Sequence, residues 1–345
     1  MSPQEADALV RAYHVRTKHR TDRYAAGPGS LDWDAQPDPF RTWSGTAKTA
    51  LPRTVEAIPI PWDELAAGRP PAPLDIAGLG SLLQLSAAIT AWKEYGGSRW
   101  ALRANPSSGN LHPTETWVIA RGVEGLADGL YHYQPRDHSL EKRAFSPLPS
   151  GEGVGEREQH FSTPALWLGF SSIHWREAWK YGERAFRYCQ LDMGHMLAAV
   201  STAAALLGWK PRLSPLDSDA VATCLGLDRT ADYTGVEGED PEAILALHPA
   251  DAGPPPSVWA EWHGHPSLLD PKPMYQWPVI KEVAIATRGI LPSPAGRGVG
   301  GEGARVTLAN PGSLSRPSGP PSPEGGGVAA THVILKPRSA QAFDG

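Results

Sequence analysis

Residues 103–120 read Arg103-Ala-Asn-Pro-Ser-Ser-Gly-Asn-Leu-His-Pro113, followed at once by Thr114-Glu-Thr-Trp-Val-Ile-Ala120. A compact run of Pro, Ser, Gly and Asn, closed by a second Pro, opens onto β-branched and aromatic residues that predict a strand over 115–120. Small residues let a flat ligand approach the main chain: Gly109 has no Cβ, and Ser107 and Ser108 barely obstruct. Asn110 can read both donors and acceptors, and the free N–H groups of such a turn suit an electron-rich ring edge. Local chemistry alone leaves a second reading open, a surface turn before a strand.

Outward from this loop, the spacing of Leu82, Leu83, Leu85, Ile89 and Trp92 predicts a core-facing helix over 80–94. Downstream, Gly129-Leu-Tyr-His-Tyr133 and Ser139-Leu-Glu-Lys142 flank the turn 135–138 and read as a β-hairpin. Ala165-Leu-Trp-Leu-Gly-Phe170 reads as a buried strand, and Ala243-Ile-Leu-Ala-Leu247 as a late one. From Glu183 to Trp209 the chain predicts one long helix, apolar and small-residue-rich almost all round, which implies burial on several sides. Helices and strands intermix without strict βαβ alternation, so the fold class is α+β.

A net charge of -5 and a pI near 6.2, with no Lys/Arg cluster, leave no electrostatic footprint for nucleic acid. The two cysteines, Cys189 and Cys224, lack CxxC spacing and fit a reducing compartment, with Cys189 expected as a buried structural thiol. The N-terminus lacks a signal pattern and no run is long enough to span a bilayer, so the expected setting is cytoplasmic. Residues 51–75 hold six prolines and predict an extended surface connector after an N-terminal helix. Residues 146–158 share a Gly-x-Gly-Val-Gly pattern with 291–304 and read as low-complexity insertions, with disorder expected over about 289–328. The Gly-Arg-Gly-Val-Gly-Gly run is no phosphate loop, because no strand precedes it and no Gly-Lys-Ser/Thr follows.

In Trp175-Arg-Glu-Ala-Trp-Lys-Tyr-Gly-Glu-Arg-Ala-Phe-Arg-Tyr188 a continuous helix would put Lys180, Arg184 and Arg187 on one face. Such a stripe is either a solvated face paired with Glu177 and Glu183 or a site for an anionic ligand. Lys180 and Tyr181 can both titrate, and burial or a nearby cation would bring either pKa towards neutrality, as proton abstraction from carbon requires. Asp192 and His195, three apart, offer either an oriented base or a satisfied core histidine. Metal ligation by His132 and His138 is disfavoured, since no carboxylate or thiol has ligand spacing. No Gly-x-Ser-x-Gly or His-Glu-x-x-His pattern is present.

Taken together, four stretches resemble the nitroreductase-like FMN flavoenzymes, specifically the SagB-type azoline dehydrogenases. They are Arg103–Glu115, Gly129-Leu-Tyr-His-Tyr-x-Pro135, Lys180-Tyr-Gly-Glu-Arg-Ala-x-Arg-Tyr188, and Leu191-Asp-x-Gly-His195 with the Ala-rich helix behind it. The resemblance covers about 78–250. It implies an α/β/α sandwich with a central long helix and a flavin site at a dimer or pseudo-dimer interface. Pro106, Ser107, Ser108, Gly109 and Asn110 would lie along the isoalloxazine with Arg103 nearby. Arg184 and Arg187 complete the candidate cofactor-binding set. Lys180 and Tyr181 would be the catalytic proton-transfer pair, with hydride passing to flavin as a peptide azoline becomes an azole. The Arg-Ser-x-Arg phosphate grip of the family has no match before Leu79. A partial version, Arg338-Ser-Ala-Gln, suggests the start of a second copy.

The expected domains are 1–75, the N-terminal helix and connector; 76–260, the nitroreductase-like domain; 261–288, an extension; 289–328, low complexity; and 329–345, the second start. Three functions follow for weighing: an FMN-dependent azoline dehydrogenase acting on a peptide or small heterocycle, a general NAD(P)H-dependent nitro or quinone reductase, and a flavin-free scaffold or peptide-binding subunit. A homodimer or pseudo-dimer is expected, with no nucleic acid, membrane or metal partner.

Overall fold

The computed structural model describes residues 1–55, 68–146, 163–249, 251–273 and 275–289. The middle of the proline-rich connector, the 147–158 insert, the low-complexity stretch from 290 onward and Arg338 with its neighbours lie outside the described residues. In chain order the elements are α1 (Pro3–Arg16), β1 (Trp43–Ser44), β2 (Lys48–Ala50), α2 (Ile76–Ser86), β3 (Ile89–Tyr95) and β4 (Ser98–Arg103). Then come β5 (Thr114–Arg121), β6 (Gly129–Gln134), β7 (Ser139–Phe145), β8 (Ala165–Ser172), α3 (His174–Tyr181) and α4 (Ala185–Leu206). The last are β9 (Arg212–Leu213), α5 (Ser218–Leu225), β10 (Asp240–His248), β11 (Glu261–Trp262), β12 (His265–Pro266) and α6 (Pro278–Ala286).

One antiparallel sheet organises the molecule, in the order β11-β7-β6-β5-β8-β10-β9, with β2 also on β7. Its central strands alternate between two cores, as the period-two pleat requires. Val118, Leu168, Phe170 and Leu245 face α2 and α4, where Leu79, Leu82, Leu83, Met193, Met196 and Val200 meet them. Trp117, Ile119, Trp167 and Ile244 face the other way, onto Val221 and Leu225 of α5 and onto Trp43. A sheet with helices on both faces is the α/β/α sandwich expected within the α+β class. The segments 1–75 and 261–288 add β2 and β11 to the same sheet, and α1 packs on α6. Among the described residues no helix is long and apolar enough to cross a membrane.

Three sequence expectations need correction. The helix over 80–94 begins earlier and ends sooner. Asp75 caps it by accepting from Gly78 N at 2.7 Å, and it stops at Ser86. Ile89 and Trp92 belong instead to β3, which pairs with β4 (Trp92↔Ala101), and Trp92 is half-exposed. The β-branched and aromatic run there overrides an apparent helical spacing. The long helix over 183–209 starts at Ala185, because Gly182 (φ 54°) breaks it from α3. Finally, α4 is not buried all round: Cys189, Met193, Met196 and Val200 face the core, whereas Leu191 is 59% exposed beside exposed Gly194, His195 and Ala198.

Inside the sheet lies a row of buried charge. His132 on β6 places Nε2 2.9 Å from Glu115 Oε2 on β5 and Nδ1 3.0 Å from Glu141 Oε2 on β7. Lys48 on β2 lies 3.2 Å from the other Glu141 oxygen, and Arg176 of α3 pairs with the other Glu115 oxygen. Burial alone would lower the His132 pKa, but its two carboxylate hydrogen bonds outweigh burial and raise it from 6.5 to about 9. This stabilisation is therefore complete below the unfolded value of 6.5 and lost as pH rises through about 9. Denaturant melts across that window should show the wild type weakening and a His132→Gln variant weakening much less. His132→Ala, which leaves one oxygen of each buried carboxylate without its partner while Lys48 and Arg176 keep the other, should cost about 1–3 kcal/mol.

Candidate functional site

The 106–112 loop is held from below by one carboxylate. Asp192 on α4 accepts from Ser107 Oγ at 2.7 Å, Ser108 N at 2.9 Å and Ser108 Oγ at 2.9 Å. Ser107 Oγ in turn accepts from His112 N at 2.8 Å, and Asn110 Nδ2 donates to Ala101 O at 2.8 Å. The turn runs through left-handed backbone at Gly109 (φ 61°), Asn110 (φ 61°) and His112 (φ 51°). For the two non-glycine residues this costs about 1–3 kcal/mol each, offset by the bonds to Asp192. Asp192 therefore positions the loop rather than orienting His195, which stands on the exposed face of α4. The sequence placed these two residues on one helix, but the long-range partner of Asp192 was not legible in their spacing.

Helix α3 meets the loop from the other side. Arg176 donates to the His112 carbonyl at 2.7 Å and to Asp38 O at 3.0 Å. One turn on, Lys180 and Tyr181 converge on Gly109. A Cβ built there would stand 2.5 Å from Tyr181 Oη and 3.1 Å from Lys180 Nζ. Only glycine tolerates that approach. Burial first, then the charge of Glu177, pushes the Tyr181 phenol up to about 12. This reverses the expectation that burial would bring it towards neutrality: leaving water disfavours the phenolate, and the nearby side chains with the largest electrostatic effects are acids and another tyrosine. Tyr181 is thus a proton donor at neutral pH.

The cationic stripe is divided. Gly182 turns the chain between Lys180 and Arg184. Arg184 donates to Thr17 O, while Arg187 donates to Thr17 Oγ1 at 2.9 Å and His14 O at 2.9 Å. Both guanidinium groups thus satisfy the C-terminal end of α1, where carbonyls lack helical partners. Arg103 is buried at the end of β4, donates to Pro39 O and lies over the Phe40 ring at 5.1 Å. Pro106 is exposed on the loop. Glu177, expected as an ion-pair partner on a solvated face, is fully buried with neither carboxylate oxygen partnered. Burial, then the Asp192 charge, holds its pKa well above the ordinary value. Glu183 pairs with Arg16 instead.

The loop suits the ring portion of a flavin. Gly109 offers a Cα with no side chain, and two acceptors nearby in the chain are buried and unpartnered, Asn105 Oδ1 and His112 Nδ1. His112 Nε2 lies 3.1 Å from Asn110 Oδ1, so Nε2 carries the proton and Nδ1 the lone pair. Burial and the neighbouring guanidinium groups keep this imidazole neutral. For a phosphate, Arg184 and Arg187 are committed to α1. His132 and His138 face separate partners, and among the described residues no group of three or more His, Cys, Asp or Glu could hold a metal.

No family model matches the chain. A nitroreductase-like protein of Methanocaldococcus jannaschii is 31% identical over 104 residues, 30% of this chain and 52% of that protein. The trifolitoxin-processing protein TfxB of Rhizobium leguminosarum bv. trifolii is 33% identical over 147 residues, 39% of this chain and 38% of that one. The crystal structure of a nitroreductase-like protein from Anabaena variabilis superposes with a TM-score of 0.55 and 26% identity, covering 82% of this chain and 55% of the other. The chain spans about half the length of the relatives it matches, or less. Its fold is the nitroreductase-like α+β fold.

Replacing Asp192 by Ala removes the acceptor of three donors and should cost about 1.5–3 kcal/mol in a urea melt. Hydrogen exchange should accelerate at 107–112 while β5 and β8 stay protected. Equal protection of the loop in variant and wild type would show that Asp192 is not its clamp.

Proposed function

We propose that the chain is an FMN-dependent oxidoreductase of the SagB type, removing a proton and a hydride from azoline rings of a peptide to give azoles. One observation carries this reading: the Lys180 amine and Tyr181 hydroxyl meet against Gly109, in a loop whose geometry Asp192 and Arg176 fix. General acid–base groups must stand within hydrogen-bond reach of the proton they move, and positioning is a large part of the rate.

A flavin bound at this loop would supply the two-electron acceptor. Pro106 to Asn110 would hold its ring, with Arg103 beneath as a buried charge. Tyr181, kept protonated, orients the reacting ring by donating from Oη, and Lys180 Nζ, once it has given its own proton to solvent, takes the carbon-bound proton. One relative is named for processing a toxin, which favours a maturation substrate over a free nitro compound or quinone. A second copy or a tandem half would cover the α4 face bearing Leu191, Gly194 and Ala198. A second reading, the flavin-free scaffold, is favoured by the commitment of Arg184 and Arg187 to α1.

The visible spectrum of the purified protein tests this first: flavin bands with near-stoichiometric FMN are expected. Lys180→Ala should keep the bands and lower azoline turnover about 10²–10⁴-fold. Gly109→Ala should lose the bands, since its methyl meets Tyr181 and Lys180. NAD(P)H-driven nitro reduction without azoline turnover would favour the general reductase. A colourless protein that stays so with added FMN overturns the enzyme and leaves the scaffold.

A further inference from the structure

At the N-terminal end of α3 a separate cleft of about 120 Å³ opens between α3, α4, β10 and the end of α6. That is several times the space one water needs. His174, Phe186, Gln190, Asp240, Glu242 and Arg288 line it. Asp240 is satisfied: His174 Nδ1 lies 3.1 Å from one oxygen and Arg288 Nη2 3.3 Å from the other. The Glu242 oxygens accept from Gln190 Nε2 at 2.9 Å each, with Ser172 and His174 beside them, and burial holds its pKa above the ordinary carboxylate value. The His174 side chain is 10% exposed, and its Nε2 is buried without a partner. With Nδ1 taken up by Asp240, Nε2 is the ring's one polar atom without a partner among the described residues. The Phe186 ring stands edge-on to it at 5.6 Å.

Two carboxylates thus share one guanidinium in this cleft, and an aromatic ring closes one wall. A metal does not fit, since among the described residues no three His, Cys, Asp or Glu side chains are placed to hold one. We propose that this cleft binds an organic cation, a guanidinium or primary ammonium group, through Glu242, His174 Nε2 and the Phe186 ring. The cation is either a free small amine or the side chain of an Arg or Lys in a peptide.

The test is a titration of the full chain with methylguanidinium, followed by the His174 imidazole NMR signals and by calorimetry. A saturable shift is expected, weakened at least about tenfold in Glu242→Gln, because a hydrogen bond to a charged group is lost. Phe186→Leu should weaken it less. A short peptide with one Arg, compared with its Ala counterpart, identifies the source. Arg-dependent binding more than about tenfold tighter than methylguanidinium points to a peptide side chain, and equal binding to a free amine. Thermal melts of both variants establish that they are folded. No saturation by ~10 mM, a concentration well above a millimolar Kd, or unchanged binding in folded Glu242→Gln, would overturn the proposal.

Discussion

The pairing of Arg176 with Glu115 and the His112 carbonyl governs the geometry of the candidate site. Glu115 belongs to the middle of the sheet and is charge-paired with His132 on the adjacent strand. Arg176 belongs to α3, so the ion pair joins a helix to the rigid centre of the molecule. Its further bond to His112 O seizes the exit of the loop. Arg176 and Lys180 are four residues apart on one helical face. Fixing the first on the loop's exit aims the second at the loop's glycine. The arrangement needs both charges: a buried guanidinium without Glu115 would carry an unmet desolvation cost.

Burial around that helix also divides the labour between Lys180 and Tyr181. Glu177 and Asp192 are both withdrawn from water near Tyr181, and each disfavours a negative phenolate. Their own charges repel, which is part of why the Glu177 pKa is raised well above the ordinary value. Asp192 differs because three donors from Ser107 and Ser108 reach it, so its charge is spread into the loop. Two acids on neighbouring helices thus have different tasks, one tying the loop and the other setting the local field.

Much of this was legible in the sequence because it is local. The hairpin 129–142, the strands at 115–120 and 165–170, and the glycine-bearing loop follow from turn residues and period-two patterns within a few positions. The end of α2 at Ser86 was not, because Ile89 and Trp92 fit helical spacing and only their pairing with β4 decides. The roles of Asp192, Glu177 and Arg176 were hidden for another reason. Each depends on partners 60 or more residues away in the chain or on having none, and residue type carries no record of that. His132 was weighed as a ligand without carboxylate partners. The alignment of β5, β6 and β7 supplies two, and they are cross-strand neighbours invisible to sequence spacing.

The break at Gly182 decides what the cations after α3 can do. Its φ of 54° is left-handed, and a Cβ there would meet Gly27 Cα at 2.6 Å and Ala26 O at 2.7 Å. Close approach of the 26–27 segment, with Glu183 N donating to Ala26 O, is therefore possible only at glycine. Were the helix continuous, Lys180, Arg184 and Arg187 would form one stripe, and a phosphate beside the loop could draw on all three. Because it turns, Lys180 stays with Gly109, while Arg184 and Arg187 swing to the end of α1. The segment 26–27 and α1 thus take two positive charges away from Lys180 and hold them at the end of α1. A lysine beside a protonated tyrosine offers groups that can move a proton, whereas a cluster of three cations would chiefly hold an anion.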